Sequence, residues 1–174
     1  MDGAWGLSDC EQISGGWLAQ PVNAVSSLAF VPCGAWVLSR ARGLVGRRRW
    51  EMVGIGAALV ANGVGSFAFH GPQPSWAEPA HDGPIVVVIA LLAANEAALV
   101  LDRRAGTARA EHPPRGRAGS VALGAGAAAL VAYGLGRTGS PACRPESLWQ
   151  WHAVWHGLIA VALAAVAAAG IERA

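Results

Sequence analysis

The run 148–171, LWQWHAVWHGLIAVALAAVAAAGI, decides the fold class, because its 24 consecutive residues include no Asp, Glu, Lys or Arg. At a rise of 1.5 Å per residue, a helix of this length spans the roughly 30 Å hydrocarbon layer of a bilayer. Four similar runs precede it, and Glu96 is the one charged residue inside the five runs, which are 22–38, 52–70, 84–101, 119–136 and 148–171. The sequence predicts an all-α, polytopic transmembrane helix bundle of about five spans, forming a single integral membrane domain over 1–174.

The composition supports a membrane protein. Hydrophobic residues make up 53% of the chain and the mean hydropathy is +0.37. The charged fraction, 14%, is about half that of an average soluble domain. A disordered chain is excluded by this hydrophobicity.

The basic residues predict the orientation, and all 13 are arginines. Eleven follow the first span, the third span or the last span: Arg40, Arg42, Arg47, Arg48, Arg49, Arg103, Arg104, Arg109, Arg115, Arg117 and Arg173. The positive-inside rule therefore puts the C-terminus in the cytoplasm, and the N-terminus and the loops 71–83 and 137–147 outside, as in a bacterial inner-membrane protein. Arginines between apolar spans indicate topology and anionic-lipid contact, so no nucleic-acid partner is expected.

Three histidines converge on the predicted outer side. His70 ends the second span, and His152 and His156 stand four residues apart, on one helix face, at the start of the fifth. Three imidazoles that leave a fourth position for water are typical of a catalytic zinc site. Asp82 is a candidate base for the zinc-bound water, and Ser66, one turn before His70, is a candidate donor to an oxyanion.

A single histidine in a span is more often a helix-to-helix hydrogen-bonding residue than a ligand. Three histidines and an aspartate at one depth favour the metal, because ionisable groups in a membrane are costly and usually paired or functional. His81 is expected in a loop, beside the ligands or solvated. Glu96, about 18 Å down the third helix from Pro84, is expected to be protonated or hydrogen-bonded and structural.

Three blocks of the sequence resemble the signature blocks of the alkaline ceramidases and their bacterial relatives, in the superfamily of membrane hydrolases that includes adiponectin-receptor-like proteins. They are GVGSFAFH at 63–70, DGPI at 82–85 and HAVWH at 152–156. The N-terminal DCE at 9–11 and QPVNAVS at 20–26 resemble the family's opening segment and its entry to the first helix. The matches run from residue 9 to residue 156.

The resemblance implies a zinc-dependent amidase that cleaves ceramide into a sphingoid base and a fatty acid, with membrane lipids as partners. By motif, His70, His152 and His156 are the zinc ligands, Ser66 the oxyanion-side serine and Asp82 the water-activating acid. The animal alkaline ceramidases have seven helices, so the resemblance implies that five spans are a reduced version of that fold.

The resemblance also concerns the N-terminal segment. Glu11 and Gln20 correspond to the family's calcium site, but Gln20 stands where the family has Glu, which argues against bound calcium. Cys10 and Cys143 both fall on the predicted outer side, and the resemblance implies a disulfide between them, which an oxidising periplasm permits.

Two alternatives remain at the level of the sequence. One is a receptor-like or structural membrane protein in which the metal only clamps helices together. The other is the same zinc chemistry on a different acyl lipid, an amide or an ester. The sequence does not indicate the acyl-chain preference or the oligomeric state.

Overall fold

The structure, a computed structural model, describes residues 5–104 and 116–172. Over these residues the chain forms six helical segments: α1 (Pro21–Ser27), α2 (Phe30–Ala41), α3 (Gly46–His70), α4 (Ala77–Arg104), α5 (Arg117–Leu135) and α6 (Trp151–Glu172). Since α1 and α2 together make one apolar segment, Pro21–Ala41, five segments are long and apolar enough to cross a membrane. The predicted all-α bundle of five spans is confirmed.

The first span is interrupted between α1 and α2. Leu28, Ala29 and Val31 donate their N–H groups to carbonyls three residues back, a tighter turn than the α-helix. Pro32 explains the interruption, because it has no N–H to bond the carbonyl of Leu28, which instead accepts from Val31 at 3.0 Å.

The start of α4 differs from the expectation. The run 84–101 began at Pro84, but the helix begins at Ala77 and contains Pro84. His81 and Asp82 therefore lie in a helix, and the expectation that His81 lies in a loop is wrong. Pro84 leaves the carbonyl of Ala80 without its usual helical donor, and that carbonyl lies against Gly65 of α3, where a Cβ atom would overlap it.

The helices pack around α3 and α6. α3 packs against α2 and α4, α6 packs against α5 and α2, and the short α1 lies against both α3 and α6. The core between them is formed by large buried side chains from α2 and α3, including Phe30, Val37, Met52, Ile55 and Leu59. α4 and α5 are thus the outer members of the bundle.

Apolar side chains cover the outer faces of α4 and α5, including the exposed Val86, Leu123 and Val131. An apolar surface of this kind fits the hydrocarbon of a bilayer, so the chain is compatible with a multi-pass membrane protein. The side chain of Glu96, the arginines Arg109, Arg115 and Arg173, and the connection from α4 to α5 before Gly116 lie outside the described residues. The orientation across the membrane stays a prediction.

The close contact between α3 and α4 gives a stability prediction. Gly65→Ala adds a Cβ that overlaps the carbonyl oxygen of Ala80, so the two helices must separate. We expect a loss of about 1–3 kcal/mol in the free energy of unfolding, by analogy with overpacked cores. Thermal unfolding in detergent measures it. Gly124→Ala in α5 is the matched control, because no atom lies within 4 Å of its added Cβ. Equal melting temperatures for the two variants would contradict the prediction.

Candidate metal centre

Three buried histidines meet where α3 ends and α6 begins. His70 is the last residue of α3, and His152 and His156 lie in the first two turns of α6. The ring centroid of His70 is 5.2 Å from that of His152 and 5.3 Å from that of His156, and the last two rings are 4.6 Å apart. One ring nitrogen from each residue lies within 4.8 Å of the others. This buried group can hold a metal ion.

His70 receives its orientation from Gln20. The backbone N–H groups of Ala19 and Gln20 donate to the carbonyls of Gly71 and His70, which brings Gln20 to the end of α3. The Gln20 amide nitrogen donates to the carbonyls of Gly6 and Glu11 at 3.0 and 2.7 Å, so its oxygen is the atom that faces His70. That oxygen lies 2.7 Å from His70 Nδ1, which must therefore donate.

The same reasoning applies to His156. Ser26 Oγ donates its one hydrogen to the carbonyl of Asn23 at 3.0 Å, and so accepts from His156 Nδ1 at 2.9 Å. An imidazole that donates through Nδ1 keeps its lone pair on Nε2. In both histidines the Nε2 atom is therefore the free acceptor.

The Nε2 atoms of all three histidines are buried and have no hydrogen-bond partner in the described part of the chain. A buried acceptor without a partner costs free energy, and a cation bound by all three would remove that cost. Three neutral imidazoles are also the donor set of open catalytic zinc sites. The residues therefore fit a metal ion on their chemistry as well as on their distances.

Ser66 lies close to the cluster in sequence but is hydrogen-bonded elsewhere. It is buried on α3, one turn before His70, with its Oγ 2.8 Å from Ser27 Oγ. Ser27 donates to the carbonyl of Asn23 at 2.7 Å, so Ser66 is the donor to Ser27. To donate to an oxyanion, the Ser66 hydroxyl must turn away from Ser27.

Asp82 is joined to the site through His81. Its Oδ1 lies 2.6 Å from His81 Nδ1, and its side chain is 64% exposed. The His81 ring stacks on Phe69 at 4.5 Å and lies 6.0 Å from the ring of His70. The structure thus brings His81, and Asp82 behind it, to the edge of the histidine cluster.

The N-terminal segment is tied to the loop between α5 and α6. Cys10 and Cys143 form a disulfide, and the N–H of Cys10 donates to the carbonyl of Gly136 at 2.8 Å. Asp9 and Arg137 form a single antiparallel bridge, and Arg137 Nη1 lies 2.9 Å from Asp9 Oδ1. Burial raises the pKa of Asp9 to about 6, against the opposing effect of the Arg137 guanidinium.

Glu11 and Gln20 do not fit a calcium cage. The two carboxylate oxygens of Glu11 accept the N–H groups of Val22 and Asn23, each at 2.7 Å, and so cap the first turn of α1. Burial raises the pKa of Glu11, against these two hydrogen bonds. Calcium needs six to eight oxygen ligands, whereas Gln20 uses its oxygen on His70.

A cavity of about 510 Å³ adjoins the histidine cluster at His152. Its polar lining is formed by Ser8, Asp9, Asn62, His81, Arg137 and His152. Asn62 Oδ1 is buried without a partner in the described part of the chain. The rest is largely apolar: Phe30, Leu59, Phe69, Ile85, Val88, Ile89, Leu130, Tyr133, Trp155, Ile159 and Leu163. Along α6 the lining runs from His152 to Leu163, about 16 Å at 1.5 Å per residue.

Sequence spacing identified the three histidines but not the residues that orient them. The sequence pattern predicts a calcium-like site for Gln20 and indicates no role for Ser26 or Asp9. Local spacing cannot show these contacts, since His156 and Ser26 are 130 positions apart in the chain. From spacing alone, Asn62 is only a residue on the same face of α3 as Ser66 and His70.

Comparison of the chain with family models, curated proteins and solved structures finds no match. The resemblance to the alkaline ceramidases therefore rests on the residue blocks quoted above.

The Gln20 contact predicts an effect on metal affinity. Gln20→Leu removes the acceptor of His70 Nδ1–H, and loss of such an outer partner typically weakens metal binding by 10- to 100-fold. Zinc affinity of the detergent-purified protein, measured by competition with a chromophoric chelator, checks this. Gln20→Glu keeps an oxygen acceptor and should bind more tightly than Gln20→Leu, whereas the exposed Gln12→Leu should match the unmodified protein. Unchanged affinity in Gln20→Leu would contradict the role of Gln20.

Proposed function

We propose that this protein is a zinc-dependent intramembrane hydrolase that cleaves the amide bond of ceramide-like N-acyl lipids to a sphingoid base and a fatty acid. The observation that carries the proposal is the set of three buried, unpartnered Nε2 atoms beside a largely apolar cavity. The motif blocks at 63–70, 82–85 and 152–156 supply the substrate class by resemblance. The proposed enzyme acts in a bacterial inner membrane, with the site towards the outer side.

Three neutral imidazoles with an open position are a donor set of catalytic zinc sites, and zinc bound there would lower the pKa of water towards 7 and polarise a carbonyl. The chain's own contribution is to hold the ligands. Gln20 and Ser26 each accept an Nδ1–H and so keep the Nε2 lone pairs of His70 and His156 directed at one point.

His81 and Asp82 are the proposed pair for moving the proton of the attacking water. With Nδ1–H donated to Asp82 at 2.6 Å, Nε2 is the ring nitrogen of His81 that can accept a proton. The 6.0 Å between the rings of His81 and His70 leaves room for a water molecule between a ligand and the base. In this scheme Asp82 positions His81, as the acid of a His–Asp pair does in hydrolases.

The cavity is the proposed site of the acyl chain. Trp155, Ile159 and Leu163 follow His152 on the cavity side of α6, so an apolar chain can lie along the helix while its carbonyl stays at the histidines. Ser66 is the proposed oxyanion-side serine by resemblance, and its hydroxyl would have to leave Ser27 to take up that role. Burial of each methylene group of the acyl chain would supply about 0.8 kcal/mol of binding free energy.

The first test measures metal and turnover together. Detergent-purified protein should contain about one zinc per chain and hydrolyse a labelled N-acyl sphingoid lipid. His152→Ala should lose both. Asp82→Asn should keep zinc and lose turnover by roughly 10²- to 10⁴-fold, the usual contribution of acid–base catalysis. Glu78→Gln, an exposed acid in the first turn of α4, is the matched control and should behave as the unmodified protein.

The alternatives give different results in this test. Stoichiometric zinc without turnover on any N-acyl lipid or acyl ester would favour a structural metal clamp and contradict the enzyme. Turnover on esters or other acyl amides, but not on ceramide, would retain the zinc hydrolase and change its substrate. A folded protein that binds no metal would contradict both the enzyme and the clamp.

The second test concerns the cavity. Ile159→Trp places a larger side chain in the cavity about two turns below His152. We expect turnover of long-chain N-acyl lipids to fall relative to short-chain ones, with zinc content unchanged. A series of substrates of increasing acyl length measures the shift. Val161→Trp, at an exposed position on α6, is the control and should leave the preference unaltered. The same chain-length profile for both variants would contradict the assignment of the cavity.

A further inference from the structure

The third histidine lacks the hydrogen bond that the other two have. His70 Nδ1 and His156 Nδ1 contact oxygens at 2.7 and 2.9 Å, whereas His152 Nδ1 has no hydrogen-bond partner in the described part of the chain. The oxygen that faces it is Asp9 Oδ1, at 3.3 Å. Both side chains are almost fully buried, with exposed fractions of 5% and 6%.

Asp9 is held in this position from several directions. Its N–H donates to the carbonyl of Gly6 at 2.9 Å, and the next residue, Cys10, is bonded to Cys143 and to the carbonyl of Gly136. Thr138 donates its N–H to the carbonyl of Ser8 at 2.9 Å. The segment that carries Asp9 is therefore anchored to the loop that leads into α6, the helix of His152.

Arg137 completes the arrangement. Its guanidinium contacts Asp9 Oδ1 at 2.9 Å, which balances the buried carboxylate and leaves the same oxygen directed at His152. A buried carboxylate without a partner would be costly. Arg137 donates to Asp9 from one side, and the imidazole of His152 faces the same oxygen at 3.3 Å.

We infer that Asp9 is the positioning carboxylate of the metal centre: it accepts the Nδ1–H of His152 and thereby directs His152 Nε2 at the metal. This inference rests on the proposed metal centre, and it completes a set in which each ligand has its own outer partner: Gln20 for His70, Ser26 for His156 and Asp9 for His152. Asp9 is the charged member of the set. A carboxylate behind a ligating histidine fixes its tautomer, makes the ligand more basic and partly balances the charge of a dication.

This role makes a graded prediction for two substitutions. Asp9→Leu removes the acceptor and the charge, so zinc affinity should fall by roughly 10- to 100-fold. Asp9→Asn keeps an oxygen near His152 but removes the charge, so its affinity should lie between those of Asp9→Leu and the unmodified protein. A residue that only supports the fold would change the melting temperature without this order of affinities.

The experiment is a zinc competition titration on full-length protein in detergent, with the melting temperature of each metal-free variant recorded beside it. Glu146→Gln is the matched control, because Glu146 is an exposed acid in the α5–α6 loop to which the Asp9 segment is anchored. This variant should bind zinc as the unmodified protein does. Cobalt(II) substitution adds a second readout, since a reoriented His152 should alter the visible ligand-field bands in Asp9→Asn.

The outcomes separate this inference from the proposed function. Weaker zinc binding in Asp9→Asn, with a normal melting temperature, supports the positioning role even if Asp9→Leu does not fold. Unchanged affinity and unchanged cobalt bands in Asp9→Asn would overturn the role of Asp9 while leaving the metal centre in place. If the unmodified protein binds no zinc, both the inference and the proposed function fail.

Discussion

The structure depends on one constraint: three imidazole nitrogens are buried together, and none of the three has a hydrogen-bond donor or acceptor within the described part of the chain. In a low-dielectric interior such atoms are costly unless something satisfies them. A bound metal satisfies all three at once, and no single added hydrogen bond would do so. The surrounding contacts can be understood as the means of keeping these nitrogens together.

The N-terminal segment supplies most of those contacts. Gln20 reaches the end of α3 because its own backbone pairs with the carbonyl of His70, and Glu11 holds the start of α1 so that Ser26 faces His156. The disulfide between Cys10 and Cys143 links this segment to the loop before α6. Residues between Asp9 and Ser26, all of which precede α2, thus orient ligands that belong to α3 and α6.

The sequence predicts the bundle well because long uncharged apolar runs are typical of transmembrane helices. Its boundaries were less accurate, since Pro84 suggested the start of a helix that in fact begins at Ala77. The three histidines follow from spacing and from the parity of the spans, which puts the end of α3 and the start of α6 on one side. Their partners could not be found in this way, because Asp9 and His152 lie near opposite ends of the sequence. The predicted outer side has only two arginines, Arg137 and Arg144. One of them, Arg137, is the ion-pair partner of Asp9.

The most direct test of the central claim is X-ray absorption spectroscopy at the zinc edge on detergent-purified, zinc-loaded protein. The account predicts three imidazole nitrogens at about 2.0–2.1 Å, with the remaining coordination supplied by oxygen. It also predicts that the imidazole signal is lost in a sample of His70→Ala. A first shell that contains sulfur at about 2.3 Å, or a spectrum unchanged by His70→Ala, would contradict a zinc centre built on His70, His152 and His156.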